Sequence, residues 1–266
     1  MILVLIFAFV FGAVLGSFAH LVADRLRVKT IWGGRSECLS CSHTLSAAEL
    51  VPIYSYLAQR GKCKHCHAKL SPWYMWSEIT CGLLVALLAY TIPTLSTHVL
   101  YANPLVQLGA FVFFAITIAL SLSITVYDIR HSVVPLEIVL ILLVMGMFAT
   151  VVRTYLYGFN VYDFFSGAIV ALPFALLHII SKGRWVGMGD VFVYGAFGFL
   201  LGLPMGVSTF FYSVWLGAFV SLALMMIHRK DYGLKSEIPF TPFIIVAAYL
   251  CFFAHIDILN LHDMLY

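Results

Sequence analysis

The sequence predicts an all-α polytopic membrane protein of about eight transmembrane helices, with a small cytoplasmic zinc-ribbon-like insertion after the first helix. Three observations carry that expectation. The chain of 266 residues is 62% hydrophobic and 10% charged, too apolar to hide its surface in a water-soluble domain, so lipid must be its solvent. Its apolar residues fall in runs near the length of about 20 residues that a bilayer span requires. One sizeable polar stretch, 24–72, interrupts them and carries two Cys-x-x-Cys pairs.

The apolar runs lie at 2–23, 73–92, 105–126, 133–157, 161–181, 191–203, 205–228 and 238–258. The first lacks a basic leading region and a small-x-small cleavage site, so it reads as an uncleaved span. The sixth is short and is parted from the seventh by Pro204, which leaves seven spans as the competing count. The expected organisation is a first helix at 1–23, the insertion at 24–72 and a membrane core at 73–266. Positively charged residues favour the cytoplasmic side. With Met1 outside, the segments 24–72, 128–132, 182–190 and 229–237 fall inside and hold fourteen of the fifteen Lys and Arg residues, leaving Arg153 outside. The net charge of +3 therefore reports topology and gives no reason to expect a nucleic-acid partner. The links 93–104 and 158–163 are too short to house a site.

Within the insertion, Cys38 and Cys41 are followed after twenty-one residues by Cys63 and Cys66. Four thiolates on two such turns suit tetrahedral zinc, although the separation slightly exceeds the usual range of about 15 to 20 residues. A loop this small cannot bury enough apolar surface to fold unaided, and bound metal would supply its folding energy. Disulfides are the alternative, disfavoured by the cytosolic placement. His43, His65 and His67 lie close enough to substitute as ligands but read as solvated surface. Cys81 and Cys251 sit in apolar runs and read as packing residues.

Two acids lie at the ends of apolar runs: Asp128, which closes the third, and Asp190 in Gly187-Met188-Gly189-Asp190, which opens the sixth. A carboxylate at bilayer depth costs about 2.5 to 3.5 kcal/mol on insertion scales and marks a functional site by default. On the topology above both acids meet the cytoplasmic boundary. Two neighbouring carboxyls cannot both ionise cheaply, so they share a proton and provide a base and an acid at one pH. That is the requirement for water to attack a peptide carbonyl. The plainer readings are an Asp190 that caps a helix after a glycine turn and an Asp128 paired with Arg130. A transporter or scaffold using the acids to bind a cation or proton is the alternative class of function.

Several motifs occur in an order that resembles the type IV prepilin peptidases, intramembrane aspartic proteases of the Gly-x-Gly-Asp type. Leu15-Gly16-Ser17-Phe18 with Arg25-Leu26 is similar to the family's opening span. Pro52-Ile-Tyr-Ser55-Tyr56-Leu57 stands between the Cys pairs, Gly61-Lys-Cys63-Lys-His-Cys66 leads through Ser71 and Tyr74 to Glu78, Asp128 precedes Pro135, and Gly187-Met-Gly-Asp190 precedes Ile238-Pro-Phe-Thr241-Pro242. The resemblance implies that Asp128 and Asp190 are the catalytic pair and that Cys38, Cys41, Cys63 and Cys66 hold zinc. It implies prepilin or pseudopilin substrates of pilus or type II secretion systems, cleaved at the cytoplasmic face of the bacterial inner membrane. N-methylation of the new terminus with S-adenosylmethionine is implied as a second activity. No glycine-rich nucleotide loop marks the methyl donor's site, and Glu78 is a weak candidate. The chain departs from the family pattern at Phe192, where a lysine is usual, and at Leu136, Arg27, His20 and Thr241, the last standing for a glycine. His178, His228, His255 and Asp257 read as interface residues, and Pro173, Pro204 and Pro242 as kinks or helix starts.

Overall fold

The computed structural model describes residues 1–26, 36–38, 40–92, 103–227 and 238–258. Arg27, His228, most of the link 93–104 and the basic link 229–237 lie outside the described residues. Ten α-helices and one 3-10 turn make up the described chain, with no strand among these residues. They divide into two compact units, Met1–Ser123 and Ile124–Tyr266.

In the first unit α1 (Ile2–Arg25) packs along α3 (Trp73–Thr91). Small residues set their separation. A Cβ added at Gly12 would lie 2.7 Å from Val85 Cβ, and one at Gly16 would lie 2.8 Å from Cys81 Cβ. Helices in lipid gain no hydrophobic drive from association, so close backbone approach through small residues carries their packing. Between the two helices lie a 3-10 turn (Ala47–Leu50) and the short α2 (Tyr54–Ala58). Then α4 (Pro104–His131) begins in this unit and ends in the second, so Asp128 belongs to its final turn. The third apolar run, expected to stop at 126, thus continues as helix through His131.

The second unit holds α5 (Leu136–Tyr157), α6 (Val161–Phe164), α7 (Ser166–Ser181), α8 (Met188–Leu201), α9 (Leu203–Ile227) and α10 (Thr241–Ala254). At its centre α8 contacts α5, α7, α9 and α10. Its residues are apolar on every side, the pattern of a helix buried all round, and Val193, Tyr194, Ala196 and Phe197 are almost fully enclosed. Glycines admit the neighbours: a Cβ at Gly146 of α5 would meet the Ala196 carbonyl at 2.5 Å, and one at Gly198 would meet Gly167 Cα at 2.8 Å. Half-buried Arg153 of α5 donates to Asp163 Oδ2 at 2.8 Å and to the Phe199 and Leu200 carbonyls at 2.8 and 2.7 Å. It thereby satisfies the carbonyls that the end of α8 leaves open.

The eight expected apolar runs recur as helices, the fifth divided at Phe165 into α6 and α7, with two further refinements. The break between the sixth and seventh falls at Gly202, whose φ of 83° ends α8 in a conformation that L side chains avoid. Pro204 lies inside the first turn of α9, where its missing N–H costs nothing. Five helices, α1, α3, α4, α5 and α9, are long and apolar enough to cross a membrane, while α7, α8 and α10 are apolar but only 16, 14 and 14 residues long. The protein is a multi-pass membrane protein.

Because the Gly198 neighbour is backbone and cannot rotate away, Gly198→Ala should lower the melting temperature in detergent, by the equivalent of about 1–3 kcal/mol for an overpacked contact. Gly109→Ala, whose Cβ meets nothing within 4 Å among the described residues, should leave it unchanged or slightly raised. Equal melting of the two variants would contradict the packing described for α8.

Candidate functional site

Gly187 is the N-cap of α8 and Asp190 its third residue, so the Asp190 carboxylate reaches back to the Gly187 amide, as an acidic residue at that position of a helix does. The glycine between them has a steric reason: a Cβ at Gly189 would fall 2.4 Å from Val134 Cβ. Val134 lies in the short link after α4, so the missing side chain lets the segment that follows Asp128 settle on the first turn of α8. Both acids are enclosed, Asp128 3% and Asp190 8% exposed.

Thr241 joins them. It opens α10, is wholly buried, and its hydroxyl donates to Asp190 Oδ1 at 2.8 Å. The same hydroxyl and the Thr241 main chain also reach the Asp128 carboxyl. Asp128 Oδ2 is buried without a hydrogen-bond partner among the described residues, a costly arrangement unless something else is bound there or the group carries a proton. The helix-capping reading of Asp190 therefore describes part of what it does, since its Oδ1 also accepts from Thr241. Beyond it, Tyr194 lies one turn along α8, hydrogen-bonded to Ser213 and with its ring tilted against Phe174.

In the first unit the four sulfurs of Cys38, Cys41, Cys63 and Cys66 all lie within 4.8 Å of one another, with 3.9 Å between Cys38 and Cys66. A tetrahedron of thiolates about 2.3 Å from zinc has sulfurs about 3.8 Å apart, so the cluster fits that ion. All six cysteines are free thiols, as expected if no disulfide staples the loop. The two pairs stand on near-identical turns. The Cys38 amide donates to the His43 carbonyl and the Cys63 amide to the Ala68 carbonyl, each at 2.9 Å, while Ser42 and His67 return to the Cys38 and Cys63 carbonyls at 2.9 and 3.0 Å. Isolated bridges, Glu37 with Thr44 and Lys62 with Lys69, close both turns at the same offset. Left-handed residues, Ser42 and His67 at φ 54° and 56°, complete them.

Neighbouring groups move two of the thiols in opposite directions. The Ser40 amide, then the Cys41 amide, lower the Cys38 thiol to about 7. At Cys41 the His43 amide also acts to lower the thiol, but desolvation and the three neighbouring sulfurs outweigh it and push it up to about 12. The His43 and His65 rings lie tilted against each other with centroids 3.6 Å apart, outside the cluster of four.

Residues that the sequence left unassigned also come together in this unit. His20, fully buried, has Nδ1 3.1 Å from Ser77 Oγ and its ring against Tyr74, whose hydroxyl donates to Asp24 at 2.7 Å. Glu78 accepts the Ile53 amide at 2.6 Å and so holds a β-branched residue at φ 63°, a conformation such residues rarely adopt. His178 Nδ1 meets the Val186 carbonyl at 2.8 Å and ties the turn that leads into α8.

Comparison with known proteins covers nearly the whole chain. Residues 10–92 match the bacterial peptidase A24 N-terminal domain and residues 115–222 the type IV leader peptidase family. A prepilin leader peptidase/N-methyltransferase of Bacillus subtilis (strain 168) is 31% identical over 92% of each chain. One from Stutzerimonas stutzeri is 26% identical over 91% of this chain and 88% of its own, and one from Pseudomonas putida is 27% identical over 81% of this chain and 70% of its own. No solved structure matches significantly.

The sulfur cluster predicts one zinc ion per chain by elemental analysis of the purified protein, and loss of that ion when Cys38 and Cys63 are both replaced by Ser. Retention of zinc by the double variant would exclude the four-sulfur site. A second prediction concerns Glu49, whose carboxylate accepts the Ser46 amide and hydroxyl at 2.9 and 2.7 Å; the amide, then the hydroxyl, hold it below its ordinary value of 4.5. The stability it contributes is therefore present above pH 4.5 and lost as pH falls through its lower folded value. Melting of Glu49→Gln should fall below wild type at neutral pH and converge with it in acid.

Proposed function

The chain belongs to the type IV leader peptidase family, and from that premise we propose that it cleaves the basic leader from type IV prepilins or pseudopilins, with Asp128 and Asp190 as the catalytic pair. The observation that carries the reading is the meeting of both carboxyls at one buried residue, Thr241, inside the second unit. One carboxyl takes a proton from water, the water attacks the scissile carbonyl, and the other carboxyl hydrogen-bonds the oxygen that gains charge. Membership favours this hydrolase reading over a transporter.

Cleavage takes place at the cytoplasmic face of the bacterial inner membrane in this reading, with the N-terminus outside, as the one-sided distribution of Lys and Arg supports. A basic leader stays in the cytosol while the apolar helix of the substrate lies in lipid, which brings the junction to the depth of the acids. Residues 24–72 serve as the zinc insertion between the first helix, 1–23, and the core, 73–266. Zinc held by Cys38, Cys41, Cys63 and Cys66 would supply folding energy to that insertion.

Methylation of the new N-terminus is the second activity, supported by the relatives' names. S-adenosylmethionine supplies an electrophilic methyl group for the freed amine. Glu78, the weak candidate for its site, has a carboxylate oxygen committed to the Ile53 amide, so no residue is assigned to hold the donor.

Asp128→Asn and Asp190→Asn should each cut leader removal by about a thousandfold or more, within the range that acid–base groups contribute, while both variants still insert. The readout is the mass of a full-length prepilin from the same genome after incubation with the purified protein. Cleavage persisting in either variant would reject the pair, and an added methyl on the wild-type product would establish the second activity.

A further inference from the structure

One peptide group stands between His178 and Asp190. The half-buried His178 ring, in the last turn of α7, has Nδ1 2.8 Å from the Val186 carbonyl. A carbonyl only accepts, so Nδ1 carries the hydrogen and donates. The Val186 carbonyl and the Gly187 N–H belong to the same peptide group, which is planar and turns as one body. Asp190 stands beside that group. It lies three residues past Gly187, the N-cap of α8, at the spacing from which an acid reaches back to the cap amide, and its Oδ2 is 3.6 Å from the place a Gly187 Cβ would take.

The local sequence leaves that plane loose. Gly187 and Gly189 flank Met188, and glycine gives the backbone more freedom than any other residue. The turn before them is shaped to bring the ring to the carbonyl. Lys182 and Gly183 take φ 52° and 76°, and the Gly183 amide returns to the His178 carbonyl at 2.9 Å. Gly183 also lacks the Cβ that would lie 3.2 Å from His178 Cε1, which leaves the ring its place under the turn. The Trp185 amide donates to Ser181 Oγ at 3.3 Å, so the chain folds back before it reaches Val186. A donor on the carbonyl also polarises the peptide group and strengthens its N–H toward an acceptor.

We propose that His178 is a positioning residue for Asp190: by holding the Val186 carbonyl it fixes the plane of the Val186–Gly187 peptide, and through the Gly187 N–H the side chain of Asp190. This rests on the reading of Asp128 and Asp190 as the catalytic pair. His178 touches no reacting atom in this arrangement. Its hydrogen bond acts on the first turn of α8, where a carboxyl must be held in one orientation to serve the chemical step, since small misplacements of a reacting group are costly in rate.

The test compares wild type, His178→Asn and His178→Leu in cleavage of a full-length prepilin from the same genome, with kcat and KM measured separately. The two replacements have nearly the same shape, and the Asn amide nitrogen stands as many bonds from the backbone as Nδ1, so Asn can donate to Val186 where Leu cannot. His178→Leu should lower kcat about tenfold with KM little changed, the scale of one lost hydrogen bond. His178→Asn should restore kcat to within about threefold of wild type by the same measure. Hydrogen exchange of the segment 183–190, followed by mass spectrometry, should quicken in the Leu variant and return toward wild type in the Asn variant. A His178→Leu enzyme with wild-type kcat overturns the proposal, as does a loss that falls on KM alone or one that Asn does not rescue. If the Leu variant fails to fold, as judged by melting, His178→Gln takes its place with the same expectations, because its amide nitrogen lies one bond too far along the side chain. Asp190→Asn, assayed in parallel, separates the two ideas. An inactive Asp190→Asn beside an unaltered His178→Leu removes His178 alone, whereas an active Asp190→Asn removes the catalytic pair itself.

Discussion

Asp190 can be carried into an apolar interior because α8 is enclosed by four other helices and meets lipid little. A carboxylate exposed to hydrocarbon would cost several kcal/mol and would tend to be lost. Inside the second unit it instead finds a hydroxyl and a backbone amide. That enclosure depends on missing side chains. Gly146, Gly167 and Gly198 let α5 and α7 close on α8, and Gly189 lets the link after α4 lie against its first turn. The glycines and the acid are therefore one design: the first makes a dry, close-packed sheath, and the second uses the polarity left at its end.

In the first unit order comes from a different source. The insertion has little core, and its two cysteine turns repeat the same hydrogen bonds and the same left-handed residue. The first turn aims the Ser40 and Cys41 amides at the Cys38 sulfur, which lowers that thiol. The two turns meet at the cluster of four sulfurs, whose spacing could hold a metal ion. Nearby, buried polar groups are satisfied in pairs that span the sequence, His20 with Ser77 and Glu78 with the Ile53 amide, as an interior without water demands.

Much of this was legible in the sequence, and the rest was not for identifiable reasons. Apolar runs announced the helices, because hydropathy over about 20 residues is a strong local signal. Cysteine spacing announced the sulfur cluster for a similar reason, since each turn is local. Boundaries were less accessible: Pro204 looked like the break, yet a proline fits the first turn of a helix, while the positive φ at Gly202 does not fit a continuing one. The partner of Asp190 was least accessible. Thr241 stands 51 residues away and drew notice as a departure from a family pattern, with nothing in its surroundings to link it to an acid. Contacts of this kind are products of tertiary packing, and so is the burial of His20, which a histidine in an apolar run does not announce.

The brevity of α8 carries one more consequence. Fourteen residues rise about 21 Å, against a hydrocarbon thickness of about 30 Å. A helix that short leaves roughly a third of the slab uncrossed, and since other helices enclose it the shortfall leaves room for a recess at one of its ends. Hydrolysis inside a bilayer is limited by the supply of its second reactant, and a recess at the end bearing Asp190 would deliver that reactant to the carboxyls without exposing the rest of the sheath to solvent.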